Sequence, residues 1–136
     1  MAIIRFYEKP GCRNNTRQKA LLQASGHQVD AHNLLKEPWS AEGLRAYFGT
    51  MPVAAWFNRA APQIKEGIVV PEEHDESSAI VAMLADPLLI RRPLMEIDGR
   101  KTAGFNVDQL KEWIFLDDQE KNPGETCTRT DGKFCP

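Results

Sequence analysis

The 136-residue sequence lacks most of the features that mark specialised chains. No apolar run approaches the ~18 residues that a membrane-spanning helix needs. The first apolar stretch, Met1 to Tyr7, is too short and too soon interrupted for an export signal. No membrane partner is expected, and the expected location is cytoplasmic. Positive charge is not in excess: 17 Lys and Arg stand against 19 Asp and Glu, a net charge of -2, so nucleic acid is not an expected partner. The three cysteines are an odd number, which argues for reduced thiols rather than a disulfide scaffold. Glycine-rich phosphate loops are missing, and with them any nucleotide-site signal. The histidines, His27, His32 and His74, are scattered and read as surface or strand residues, so no metal site is expected. No internal repeat is found. What remains is 42% hydrophobic and 26% charged residues, enough for one domain with a modest core.

Ala2 to Tyr7 is short, apolar and partly β-branched, the pattern of a strand. Glu8-Lys9-Pro10-Gly11 ends it. A helical pattern begins after Cys12, with Ala20, Leu21 and Ala24 on one face and Gly26 as its stop. His27 to Asn33 alternates weakly as a second strand, which makes the opening a βαβ unit. Ser40 is placed to cap a helix with Glu42 in its first turn and Leu44, Tyr47 and Phe48 on its apolar stripe. Pro52 to Phe57 reads as a further short helix and residues 61–71 as irregular. Glu72 to Glu76 reads as the solvated entry to a helix over 77–86 that buries Ile80, Met83 and Leu84. Leu94 to Ile97 and Lys101 to Ala103 form a predicted hairpin about Asp98-Gly99. Asn106 and Gln109 have capping-box spacing for a helix bearing Val107, Leu110 and Ile114. Trp39, Trp56 and Trp113 read as core or interface aromatics. Beyond Asp117 the chain turns polar, and 119–136 reads as a flexible tail.

Cys12 is the sharpest chemical feature. It lies just past the first strand, at the mouth of the first helix, where unpaired N–H groups favour a thiolate and can cradle an oxyanion. Arg13 and Arg17 lie nearby. Spacing alone supports a reactive thiol and a buried bystander equally.

Tyr7-Glu8-Lys9-Pro10-Gly11-Cys12 resembles the Y-x-x-P-x-C start of the glutaredoxin-coupled arsenate reductases and their relatives, the Spx regulators. Leu34-Leu35-Lys36-Glu37-Pro38 resembles the family's L-x-x-P connection. Pro87-Leu88-Leu89-Ile90-Arg91-Arg92-Pro93-Leu94 resembles its P-[IL]-L-I-x-R-P-[IL] segment. The three anchors keep their order across residues 2–116. The resemblance implies an α/β, thioredoxin-like fold: a mixed four-stranded sheet flanked by helices, with a helical insertion at about 38–88 inside a domain over 1–118. It also implies a cis-proline, Pro93, facing Cys12, with Arg92 beside it.

Departures from the family pattern bear on function. Asn15 and Thr16 stand where the reductases have Ser-Arg, and Glu8 where they have histidine. An acidic neighbour disfavours a thiolate, whereas a protonated histidine favours it. Of the three arginines that hold the oxyanion in the family, Arg92 matches one and Arg59 is the candidate for the second. The third position falls near Gly104-Phe105 and carries none. Arg13 and Asn15, at the helix mouth, complete the candidate oxyanion set. Each lost charge-assisted contact weakens anion binding by ~1.5–3 kcal/mol. The stretches Gly11 to Gln18 and Phe57 to Pro62 look most like a sub-branch called nitrogenase-associated proteins. That resemblance implies an accessory role in nitrogen fixation, with nitrogenase or other nitrogen-fixation proteins as partners.

The alternative is a glutaredoxin-dependent arsenate reductase. Cys12 would attack an oxyanion held by Arg92 and Arg59, glutathione would enter as co-substrate, and glutaredoxin would be the partner; no other cofactor is implied. An Spx-like regulator is disfavoured, since Asn15 occupies the place of its second cysteine. Cys127 and Cys135, in the tail, read as exposed thiols first and as a redox pair or resolving partners of Cys12 second. Two cysteines fall short of a metal site's usual ligand set.

Overall fold

The alternation of the first strand divides the interior into two cores. The computed structural model describes residues 2–116, so the tail with Cys127 and Cys135 lies outside the described residues. Strand β1 (Ile3–Glu8) turns Ile4 and Phe6 into one apolar cluster and Tyr7 into the other. It is central to a four-stranded sheet of order β2-β1-β3-β4. Strand β2 (Gln28–Asn33) runs parallel to it and β3 (Leu94–Ile97) antiparallel, while β4 (Arg100–Ala103) closes the hairpin with β3. Strand β3 follows the same two-residue period: Met95 and Ile97 join the cluster of Ile4 and Phe6, and Leu94 joins that of Tyr7.

Helix α1 (Arg13–Ala24) returns the chain from β1 to β2, the crossover that a parallel pair requires. Its buried face is Asn14, Asn15, Gln18, Leu21 and Leu22, while Ala20 and Ala24 are exposed, contrary to the face expected from the apolar residues. The helical period is intact. The first two turns, near the Cys12 loop, simply bury amides where an apolar search finds nothing. Helix α5 (Val107–Trp113) packs on the same side of the sheet through Leu110, followed by buried Ile114 and Leu116. The Asn106 side chain caps it by accepting from Gln109 N–H at 3.1 Å.

The chain between β2 and β3 covers the other side. Ser40 caps α2 (Ala41–Arg45) by accepting from Gly43 N–H at 3.0 Å. Pro52 heads a single 3-10 turn at Val53–Trp56 where a short helix was expected, and the expected irregular stretch contains α3 (Pro62–Lys65), opened by proline. Helix α4 (Glu76–Ala85) buries Ala79, Ile80 and Met83. Leu84, expected in that stripe, is 39% exposed. Phe48 stacks on fully buried Trp56 with ring centroids 4.8 Å apart. Trp39 and Trp113 are partly buried. The hairpin turn is Asp98-Gly99, with φ of 51° and 83°, the left-handed pair that the tightest hairpins require.

His27 departs most from expectation. It is buried rather than exposed. Its Nδ1 accepts from Ala2 N–H at 3.0 Å, and its Nε2–H donates to Phe115 C=O at 2.6 Å. One imidazole thus ties the entry of β1 to the segment after α5. Because the buried Ala2 N–H and the part-buried Phe115 C=O lose their partner, His27→Ala is expected to lower the unfolding free energy by about 1–3 kcal/mol. Ala20→Glu, on the exposed face of α1, should stay within about 0.5 kcal/mol in the same denaturation experiment.

Candidate functional site

The loop after β1 is a turn whose sequence dictates its shape. Cys12 N–H donates to Lys9 C=O at 3.1 Å, and Pro10 and Gly11 are the two central residues. Gly11 has φ of 83°, as the second central residue of a type II turn demands. The turn ends on Cys12, the N-cap of α1, with φ -71° and ψ 122°. Cys12 is 2% exposed. Its side chain makes no capping hydrogen bond to the helix N–H groups, so the contact expected of a helix-mouth thiolate is not formed here. Asn15 braces the loop: its Oδ1 accepts from Lys9 N–H at 3.2 Å and its Nδ2 donates to Gln18 Oε1 at 2.9 Å. Both ends of that amide are engaged internally.

Glu8 was expected to oppose a thiolate at Cys12. Its carboxylate is buried and paired with Lys19 Nζ at 2.7 Å, so its charge is balanced from α1. Arg13 and Arg17 are exposed, and no acidic residue lies in the first turn of α1. This placement opposes the helix dipole, which favours anions at that end.

The remaining candidates come from the other side of the loop. Residues 56–58 and 89–91 run side by side, through Asn58 N–H to Leu89 C=O at 2.8 Å and Arg91 N–H to Trp56 C=O at 3.0 Å. That pairing brings Arg59, Arg91 and Arg92 to one cavity of about 450 Å³. Arg59 is held by Glu72 in an exposed ion pair, which raises the guanidinium's affinity for its proton and lowers that of the carboxylate. Arg91 donates to Ala55 C=O at 3.0 Å. Arg92 has no hydrogen bond or ion pair to another described residue. The Arg92–Pro93 peptide is cis. Pro93 is buried and precedes Leu94, the register partner of Tyr7, so it sits at the sheet end from which the Cys12 loop departs. Phe105 is buried in the cluster under α1 and α5.

Two residues were not anticipated. Lys9 lines a second cavity of about 170 Å³ together with Arg92. Its ammonium is held below the usual lysine range, first by burial and then by the charge of Arg92, against an opposing pull from Cys12. Asn14 is fully buried, and neither its Nδ2 nor its Oδ1 has a hydrogen-bond partner. Nothing in the spacing of the sequence marks either one, because both depend on what the fold packs against the loop. Among the described residues no cluster of His, Cys, Asp and Glu could hold a metal ion, and no helix is long and apolar enough to cross a membrane.

A mixed four-stranded sheet with helices on both sides, a cysteine at the first strand–helix junction and a cis-proline at the entry of the neighbouring strand define a thioredoxin-like fold. The chain belongs to the ArsC family, whose model matches residues 7–113. A protein of Rhodospirillum rubrum, described as an uncharacterized 15.7 kDa protein in the draG 3′ region, is 57% identical over 127 residues, 93% of this chain and 89% of its own. A global transcriptional regulator Spx of Lactiplantibacillus plantarum is 26% identical over 114 residues, 80% of this chain and 84% of its own. Among solved structures, an arsenate reductase from Vibrio cholerae matches with TM-score 0.66 and 24% identity, covering 82% of this chain and 97% of that one. An arsenate reductase related protein from Brucella melitensis matches with TM-score 0.61 and 26% identity, covering 81% and 92%.

Two measurements probe this geometry. Asn14→Leu is similar in volume and removes both unsatisfied atoms, so it is expected to raise the unfolding free energy by about 1–3 kcal/mol. A loss of stability would show that the amide has a partner in solution. Lys9 should acylate at lower pH than the exposed lysines when labelling is followed by mass spectrometry. Arg92→Gln should move that profile some of the way back toward the exposed lysines, the rest being due to burial.

Proposed function

We propose that this ArsC-family chain is an accessory protein of nitrogen fixation that works by partner binding through the thiol of Cys12, rather than an efficient arsenate reductase. The observation that carries the reading is the state of the oxyanion-holding positions. Arg59 is engaged by Glu72, and Phe105 is packed in the core. Of those three positions, Arg92 alone carries an arginine without a hydrogen bond or ion pair to a described residue. A contact missing from an oxyanion cradle costs about 1.5–3 kcal/mol, so the lack of an arginine at Phe105 weakens arsenate binding by roughly ten- to a hundredfold, and Arg59 must leave Glu72 before it can serve. The association with nitrogen fixation rests on the resemblance of Gly11 to Gln18 and Phe57 to Pro62 to the nitrogenase-associated sub-branch, and the Rhodospirillum rubrum relative is described as lying in the draG 3′ region.

Cys12 at a helix mouth, with a cis-proline entering the neighbouring strand, keeps the enzyme reading as the competitor. A glutaredoxin-coupled arsenate assay, run on the protein and on Cys12→Ser, separates the two. The expected result is turnover close to background in both. Robust arsenate reduction that vanishes in Cys12→Ser would replace the accessory reading with a reductase using Cys12 as nucleophile, glutathione as co-substrate and Arg92 with Arg59 as anion holders.

A further inference from the structure

The two cavities beside the Cys12 loop form one groove, since Asn58, Ala60 and Arg92 line both. At one end Lys9 and Arg92 face the smaller cavity of about 170 Å³. The groove then widens to about 450 Å³ between the small apolar side chains of Pro52, Ala54 and Ala55 and the cations Arg91 and Arg59, the latter shared with Glu72 in an exposed ion pair. Spaces of roughly 300–1,000 Å³ suit ligands far larger than a tetrahedral oxyanion. No carboxylate lines either cavity. The cations come from three separate segments, so their gathering is a product of the fold and not of a run of basic residues. It stands out on a chain whose net charge is -2. Arg13 and Arg17 add exposed positive charge at the start of α1, a helix end that electrostatics would rather see acidic.

We infer that this groove receives an extended acidic segment of a protein partner, and that Cys12 exchanges disulfides with a cysteine carried beside that segment. The inference rests on the thiol reading of Cys12 given above. Lys9 joins the two features: its carbonyl accepts from Cys12 N–H at 3.1 Å, and its side chain begins the groove. Cys12 is buried, so random collision reaches it seldom, and docking alongside supplies the proximity that exchange needs. In the exchange, the Cys12 thiol gives its proton to solvent and its sulfur attacks one sulfur of the partner's disulfide. A bond between the two proteins forms as the partner's S–S bond breaks, and the departing sulfur leaves as a thiolate with the electron pair. No outside oxidant or reductant enters this step.

The experiment uses the full chain with Cys127→Ser and Cys135→Ser, so that Cys12 is the sole thiol. The probes are short synthetic peptides, each with one cysteine held as a mixed disulfide with thionitrobenzoate and flanked by glutamates, by glutamines or by lysines. Release of coloured thionitrobenzoate reports the rate. The glutamate peptide is expected to react about tenfold faster than the glutamine peptide at low ionic strength, and the lysine peptide slowest. The gap should shrink as salt is added. Lys9→Glu should erase the preference, and the salt series on unaltered Lys9 decides the matter even if that variant folds poorly. Equal rates for the three peptides, or a preference for lysine, would overturn the inference while leaving Cys12 an exchanging thiol. No release from any peptide would overturn the thiol reading, and this inference with it.

Discussion

Strand β1 is hydrogen-bonded on both edges, to β2 in parallel and to β3 in antiparallel register, and the position of Cys12 depends on that double pairing. Tyr7 sits opposite Leu94 on one side and His32 on the other. The sheet end from which the cysteine loop departs is therefore also the end at which Arg92–Pro93 arrives and β2 gives way to Leu34, whose N–H donates to Glu8 C=O at 2.8 Å. The Pro10-Gly11 turn then has little freedom left, since proline fixes one φ and the next must be positive. Side chains that are far apart in the sequence meet at the loop because a single strand holds the register for all of them.

The charges obey a simple division. Three carboxylates on different elements are paired with cations: Glu8 with Lys19, Glu72 with Arg59, Glu76 with Arg45. The exposed pairs contribute little to stability, whereas the buried Glu8 carboxylate needs Lys19. What the pairs accomplish is to leave the ground around the cysteine to cations. Lys9 and Arg92 share a cavity despite their mutual repulsion. A fold selected for stability alone would separate them or set an acid between them, so the arrangement bears on what the protein meets.

The features of this structure that were legible in the sequence are those whose cause is local. A strand ending in Lys-Pro-Gly, a helix opening on Ser40, a hairpin at Asp98-Gly99 and a cap at Asn106 each carry their reason within a few residues. The order of elements, and with it the fold, follows from them together with the three family-like segments. What could not be read was decided by tertiary placement. The buried face of α1 is made of amides near the cysteine, so apolar periodicity pointed at the wrong alanines. Lys19 reaches Glu8 across eleven positions of sequence, a pairing that no helical or strand period suggests. Arg59 matched a family position, yet its guanidinium belongs to Glu72. Lys9 looked like turn filler until Arg92 was brought to the same cavity.

The His27 imidazole has a mechanical meaning. Ala2 and Phe115, at opposite ends of the described chain, are both hydrogen-bonded to one ring. A pull between residues 2 and 115 loads two hydrogen bonds in series through a single side chain, beside the bond from Gln28 N–H to Ala2 C=O at 2.9 Å. These bonds would break singly, like the teeth of a zipper, and not together as in a sheet sheared along its length. A tether between residues 2 and 115 would add strength where the contact between them runs through one ring.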